Sequence, residues 1–198
     1  MDWVIDAIRA GRPVLLPTDT VYGLCAAAAD EAAVRGLYEL KGRGDHQPTA
    51  LLAASVETLL DAVPELRGRA EAIARTLLPG PYTLVLRNPA RRFPWLNGAS
   101  PETIGVRVAR LQPEAQRVLD AVGAVAATSA NEPGEPAAAS LDDVSERIRD
   151  GCAAELDCGR LPGVVSTVID FTGREPVVIR EGAAPSAEAI ARAVSTMA

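Results

Sequence analysis

The stretch PVLLPTDTVYGL, residues 13–24, decides the fold that the sequence predicts. Its first four residues are apolar without alternation, which is typical of a short β-strand buried on both faces of a sheet. The strand then runs into the polar residues PTDT, and loops at strand ends often carry binding groups. The stretch therefore favours a buried sheet covered by helices, with a polar loop at one end.

Helical and strand patterns interleave along the rest of the chain. The apolar spacing of Trp3, Val4 and Ala7 predicts a first helix, which Gly11 ends in a left-handed conformation. Helices are predicted over residues 2–10, 30–40, from 55, 65–78, 113–122, 140–149 and from 186. Strands are predicted over residues 13–16, 49–54, 82–86, 103–108, 124–127, 164–169 and 177–179. The fold class is α/β, a mixed β-sheet flanked by helices in one domain, residues 1–198.

Side chains suited to helix capping support these boundaries. Asp30, Ser55 and Ser186 stand where their oxygens can accept from the first turn of a helix. Ser140 and Asp143 have the spacing of a capping box and predict one helix that continues to residue 149.

Composition narrows the function classes. The chain has 198 residues, 48% of them hydrophobic, and a net charge of -6, so a sequence-wide field that holds nucleic acid is disfavoured. Three cysteines without a C-x-x-C pair fit a reducing compartment, and the start of the chain lacks a basic, apolar leader. These features predict a cytoplasmic protein without a membrane partner. The single histidine, His46, argues against most zinc sites.

Two basic residues follow the second predicted helix. In an extended segment, the side chains of Lys41 and Arg43 leave on the same face, where both reach a polyphosphate. The alternative is a solvated basic turn whose charges favour the C-terminal dipole of the helix.

Further polar groups lie in or directly after apolar strands. Arg107 and Arg180 each need an anionic partner, either a ligand phosphate or carboxylate or one of the chain's acids. Ser129 and Asn131 either hold phosphate or sugar oxygens or form an ordinary turn. Thr20 and its neighbours either cap a loop or bind a ligand. Together these groups predict one crevice at an edge of the sheet.

Several common catalytic and nucleotide-binding motifs do not occur in the sequence. There is no G-x-x-x-x-G-K-[ST] phosphate loop, no G-x-G-x-x-G after a strand and no G-x-S-x-G elbow. Cys25, within LCAAAA, is interpreted as a small core residue. Any nucleotide site must therefore be of another kind.

The motifs PTDTVYGL, KGR, PGPYTLVL, TIGVRV, TSAN, VVSTVID and VVIREGA, in this order, resemble the YrdC-like threonylcarbamoyl-AMP synthase family from residue 11 to residue 182. The resemblance implies a twisted mixed sheet around a concave, positively charged cavity. It also implies the single-domain type of the family. Gly44, Gln47 and Leu52 depart from the usual family pattern.

The resemblance also implies roles for individual residues. The implied catalytic residues are Lys41 and Arg43. The implied L-threonine pocket consists of Thr20, Arg107, Ser129 and Ser166. The implied ATP site consists of Arg43, Gln47, Thr103, Asn131 and Arg180. Magnesium, Mg²⁺, is expected on the ATP phosphates, with no metal ligand from the protein.

The implied enzyme is an L-threonylcarbamoyladenylate synthase, a nucleotidyltransferase that uses L-threonine, bicarbonate and ATP. Its product serves the threonylcarbamoyladenosine modification of tRNA, so the expected partners are downstream threonylcarbamoyl-transferase proteins, with a weak tRNA contact left open. One alternative is carbamoyl-adenylate chemistry of a hydrogenase-maturation type. Another is a non-enzymatic RNA-binding or ribosome-assembly module, for which 4% aromatic residues supply few stacking platforms.

Overall fold

A computed structural model describes residues 1–42, 44 and 47–197 of the chain. The strands are β1 (Val14–Pro17), β2 (Tyr22–Ala27), β3 (Ala50–Ala53), β4 (Tyr82–Arg87), β5 (Thr103–Arg107), β6 (Ala124–Ser129), β7 (Ala154–Glu155), β8 (Thr167–Asp170) and β9 (Val177–Arg180). The helices are α1 (Asp2–Arg9), α2 (Glu31–Lys41), α3 (Val56–Ala62), α4 (Arg69–Leu77), α5 (Pro113–Val122), α6 (Glu146–Gly151) and α7 (Ser186–Met197). None of these helices is long and apolar enough to cross a bilayer.

The strands pair into a nine-stranded sheet with the order β7-β1-β2-β6-β3-β5-β4-β8-β9. Most neighbours are antiparallel, but β1 with β7, β3 with β5 and β4 with β8 are parallel. The predicted α/β class and mixed sheet are confirmed.

Strand β2 was not predicted from the sequence. It carries three consecutive small residues, Cys25, Ala26 and Ala27, and alanine is depleted in strands. The segment becomes a strand because it lies between β1 and β6 and pairs with both. Long-range pairing thus overrides local preference here.

The helix starts at Asp30 and Ser55 follow local capping chemistry, but two other predicted starts need correction. Asp30 accepts from the backbone N–H of Ala32, and Ser55 caps α3. Ser186, predicted as a cap, is instead the first residue of α7, and its hydroxyl donates to Glu181. The capping box of Ser140 begins only a 3₁₀ turn, Leu141–Asp143, and Ser145 begins α6 as a separate helix. The single helix predicted over 140–149 is therefore wrong, because the backbone is extended between the two elements.

Alternation along the strands gives the sheet two different faces. On one face, large side chains such as Leu24, Leu84 and Val106 pack against α2, α3, α4 and α7. On the other face, Val125 and Leu52 belong to a smaller core beneath α1 and α5. The second face also carries the cavity described next.

Candidate functional site

A cavity of about 630 Å³ lies on the face of the sheet that α1 and α5 share. Alternate residues of three strands reach it, as the period of two requires: Thr103, Gly105 and Arg107 from β5, Thr83 and Val85 from β4, and Val168 and Asp170 from β8. The sequence had suggested a crevice at strand ends. About half of the lining residues come from the strands, several of them at strand ends, such as Arg107, Ser129 and Arg180, and most of the others come from loops.

Small residues make room for the cavity. Gly23, Ala50, Gly105 and Ala127 lie on four neighbouring strands and line its floor. Larger side chains at these positions would fill space that a ligand can occupy. The volume lies in the usual range for a small-molecule site, about 300–1,000 Å³.

Arg107 is held by the PTDT segment. Its Nη2 donates to Thr20 Oγ1 at 2.7 Å and forms a close ion pair with Asp19. Asp19 also accepts from the backbone N–H of Arg110 at 3.2 Å. Of the two partners that the sequence left open for Arg107, an acid of the chain is present. The Nε–H of this buried arginine still has no hydrogen-bond partner among the described residues.

Thr20 holds the Arg107 side chain in place. Its side chain is fully buried and contacts Thr18 Oγ1 at 3.0 Å as well as Arg107. Thr18 and Arg107 line the cavity, whereas Thr20 is not among its lining residues. Thr20 therefore positions Arg107 rather than facing the cavity directly.

Arg180 and Ser166 form a second polar group across the cavity. Arg180 Nη2 donates to the Ser166 carbonyl at 2.8 Å and to its hydroxyl at 3.2 Å. The Ser166 hydroxyl also lies 2.9 Å from Thr83 Oγ1. Within the described chain, Arg180 has no carboxylate partner. Desolvation, and secondarily the charge of Arg107, lowers the pKa of Arg180, so an anion in the cavity would offset both effects.

Lys41, the chain's only lysine, lies in the last turn of α2. Its ammonium donates to the Ser129 carbonyl at 2.6 Å, to Asn131 Oδ1 at 2.9 Å and to the Asn131 carbonyl. Gly42 follows in a left-handed conformation. Lys41 is helical and only 5% exposed, so the extended conformation that would place it on the same face as Arg43 does not begin at Lys41. Arg43 and His46 lie outside the described residues.

Two of the remaining predicted groups, Asn131 and Thr103, have local partners as well. Asn131 Nδ2 donates to the carbonyls of Glu132 and Glu135, at 3.0 and 2.6 Å, so its amide also shapes a turn. Thr103 Oγ1 donates to Ser100 O at 3.0 Å. Gln47 is an exposed residue of the lining.

Eight of the predicted site residues line this one cavity: Lys41, Gln47, Thr103, Arg107, Ser129, Asn131, Ser166 and Arg180. The sequence interpretation missed Thr83, Asn97 and Asp170 as lining residues. Thr83 had a detectable signal, since it is a small polar residue directly before the apolar residues 84–86 of β4. Asp19 was considered as a loop cap or a ligand-binding group but not as a partner of Arg107, and this pairing spans 88 positions of sequence.

The fold and cavity together define a class: an α/β protein whose mixed sheet carries guanidinium and hydroxyl groups arranged for a small anionic ligand. The family model Sua5_yciO_yrdC, described as telomere recombination, matches residues 6–182. The chain belongs to this Sua5/YciO/YrdC family, as its motifs had indicated.

Similar proteins agree with this assignment. The threonylcarbamoyl-AMP synthase of Pyrococcus abyssi is 37% identical over 182 residues, which cover 91% of this chain and 53% of the relative. The crystal structure of P. abyssi Sua5 complexed with L-threonine has a TM-score of 0.85 at 35% identity, covering 95% of this chain and 56% of the other. The E. coli YciO structure has a TM-score of 0.82 at 26% identity, with 94% and 90% covered. The chain thus spans about half the length of the archaeal relatives.

Proposed function

We propose that this chain is an L-threonylcarbamoyladenylate synthase, which forms threonylcarbamoyl-AMP and pyrophosphate from L-threonine, bicarbonate and ATP. The observation that carries the proposal is the convergence of Arg107 and Arg180 on one cavity, where each keeps capacity for an anion. The synthase name of the P. abyssi relative, and the L-threonine in the Sua5 complex, support it.

The threonine end of the proposed site lies around Arg107. The unpaired Nε–H of Arg107 suits the carboxylate of an amino acid, because a guanidinium–carboxylate hydrogen bond is charge-assisted. The hydroxyls of Ser129 and Ser166 offer polar contacts to the rest of threonine. Thr20 and Asp19 act through Arg107 by fixing its orientation.

The ATP end of the proposed site lies around Arg180. Its guanidinium suits phosphate oxygens, and Thr103, Gln47 and Asn131 supply hydroxyl and amide groups nearby. Among the described residues, no three His, Cys, Asp or Glu side chains group as metal ligands. The proposal has magnesium enter as part of the MgATP substrate, held by phosphate oxygens.

The proposed chemistry needs positioning more than covalent work by the protein. The threonine amine attacks bicarbonate, and loss of water leaves a carbamate. A carbamate oxygen then attacks the α-phosphorus, the bond to the bridging oxygen breaks, and pyrophosphate leaves with its electron pair. Arg180 and Arg107 offset negative charge that grows on these oxygens, and Lys41 holds Ser129 and Asn131 in place. No covalent enzyme intermediate is required.

The proposal extends to the product's use. Threonylcarbamoyl-AMP is a reactive mixed anhydride, so a threonylcarbamoyl-transferase protein that acts on tRNA is its expected consumer. A cytoplasmic location and, at most, a weak direct tRNA contact are part of the same proposal. The synthase names of the relatives favour this function over a non-enzymatic RNA-binding module.

The test is to incubate the chain with MgATP, L-threonine and labelled bicarbonate and to follow label in the adenylate product. We expect labelled threonylcarbamoyl-AMP that requires both threonine and ATP. Arg180→Gln should reduce the rate roughly 100- to 1,000-fold, whereas Arg117→Gln, at an exposed position on α5, should leave it unchanged. Adenylate formation from carbamoyl phosphate, without threonine, would instead support the hydrogenase-maturation type of chemistry.

A further inference from the structure

A second cavity, of about 480 Å³, lies away from the proposed active site. It is bounded by the start of α4, the end of β4 and the turn that follows β8. Ile73, Leu86 and Phe171 contribute to it and belong to the core on the opposite face of the sheet from the first cavity. The two cavities are therefore separate sites.

Guanidinium groups surround the second cavity. Arg67, Arg69, Arg87 and Arg174 line it. Glu65 is the one acid among its described lining residues, and Arg92 engages that carboxylate at 2.8 and 3.2 Å. This local excess of positive charge contrasts with the net charge of the whole chain, which is -6.

Two of these arginines build the wall of the cavity. Arg69 donates to the carbonyls of Gly173 and Arg174, at 2.6 and 3.1 Å, and Arg87 Nε donates to Thr172 O at 2.6 Å. These bonds fix the turn after β8 against α4. Arg174, at the end of this turn, lines the same cavity as Arg67.

The other two arginines keep their binding capacity. Within the described part of the chain, neither the Arg67 nor the Arg174 side chain makes a hydrogen bond or an ion pair. Arg67 acts on its surroundings through charge alone, as a minor contributor to the lowered pKa of Glu65, whose main cause is the hydrogen bond from Arg92. Cations that line one cavity repel one another, and an anion bound between them offsets that repulsion.

We propose that this second cavity binds a small phosphorylated molecule. Its phosphate would lie between Arg67 and Arg174, and its less polar part would lie against Ala70, Pro89 and Phe171. A concave, partly apolar site of this volume suits a small ligand. An extended nucleic acid would require a basic stripe and aromatic platforms, and the chain has only 4% aromatic residues.

The experiment maps arginine reactivity on the full chain. Phenylglyoxal modification is followed by mass spectrometry with and without pyrophosphate, against sodium chloride of equal ionic strength. We expect pyrophosphate, but not salt, to slow modification of Arg67 and Arg174 and to leave the exposed Arg12 and Arg117 unaffected. Because the modification rate is measured for each arginine separately, pyrophosphate bound in the first cavity does not affect the result for Arg67 and Arg174.

A second arm uses variants and a competing ligand. Arg67→Gln/Arg174→Gln should weaken pyrophosphate binding at this site roughly tenfold or more, while Arg12→Gln/Arg117→Gln should not. Equal modification rates with and without pyrophosphate would overturn the proposal. Protection by a short single-stranded RNA but not by pyrophosphate would also overturn it, in favour of a nucleic-acid surface.

Discussion

The substitution Asp19→Asn tests the support of Arg107. The two side chains form a close ion pair and are each only 11% exposed, so the change leaves a nearly buried guanidinium without its counter-charge. Removing one partner of a buried pair costs about 3–5 kcal/mol. Because asparagine can still accept one hydrogen bond, we expect about 3 kcal/mol, which corresponds to a fall in Tm of roughly 6–12 °C for a chain of this size.

Urea denaturation measures this loss, with Asp6→Asn on the exposed side of α1 as the matched control. The double variant Asp19→Asn/Arg107→Met should recover part of the loss, because it no longer buries an unpaired charge. A free energy of unfolding for Asp19→Asn within about 0.5 kcal/mol of the control would refute the reasoning, since surface substitutions alone fall in that range.

Three further outcomes follow from the same contacts. Lys41→Met removes charge-assisted hydrogen bonds to two backbone carbonyls and one side-chain amide oxygen. The free energy of unfolding in urea should therefore fall by about 2 kcal/mol, and calorimetry should show weaker ATP binding. Wild-type values for both would contradict the supporting role of Lys41. Burial raises the pKa of Tyr22 to about 12, so the folded state keeps a proton that the unfolded state loses above pH 10. Stability should therefore fall between pH 10 and 12. In thermal melts over this range, Tyr22→Phe should lose less stability than the wild type. In Gly182→Ala the new Cβ would overlap Val165 O and the Ser166 backbone, so stability and activity should both fall. The control Gly36→Ala has open space around the new Cβ in α2, and its free energy of unfolding should rise by about 1 kcal/mol. Equal melting temperatures for the two variants would contradict the close packing at Gly182.

Local chemistry explains the parts of the fold that the sequence predicted well. The cap at Asp30 and the Pro113–Val122 helix depend on residues within a few positions of one another. Strand β2 was missed because its alanines gain their preference only from pairing with β1 and β6. The break before Ser145 was missed because a capping box indicates where a helix begins but not how long the helix is.

The sequence predicted part of the cavity lining but not its arrangement. The sequence motifs selected Arg107, Ser166 and Arg180, and the structure brings all three to one cavity. No local pattern reveals that Arg107 pairs with Asp19, because the two residues meet only through the order of strands. Lys41 likewise looked available for phosphate, yet its ammonium is committed to the Ser129 carbonyl and its neighbours.

The most direct measurement is a crystal structure of the chain with L-threonine and a non-hydrolysable ATP analogue. The account predicts both molecules in the first cavity, with the threonine carboxylate within hydrogen-bond distance of Arg107 and phosphate oxygens near Arg180. Threonine and nucleotide bound at separate places, or an empty first cavity at saturating ligand, would contradict it.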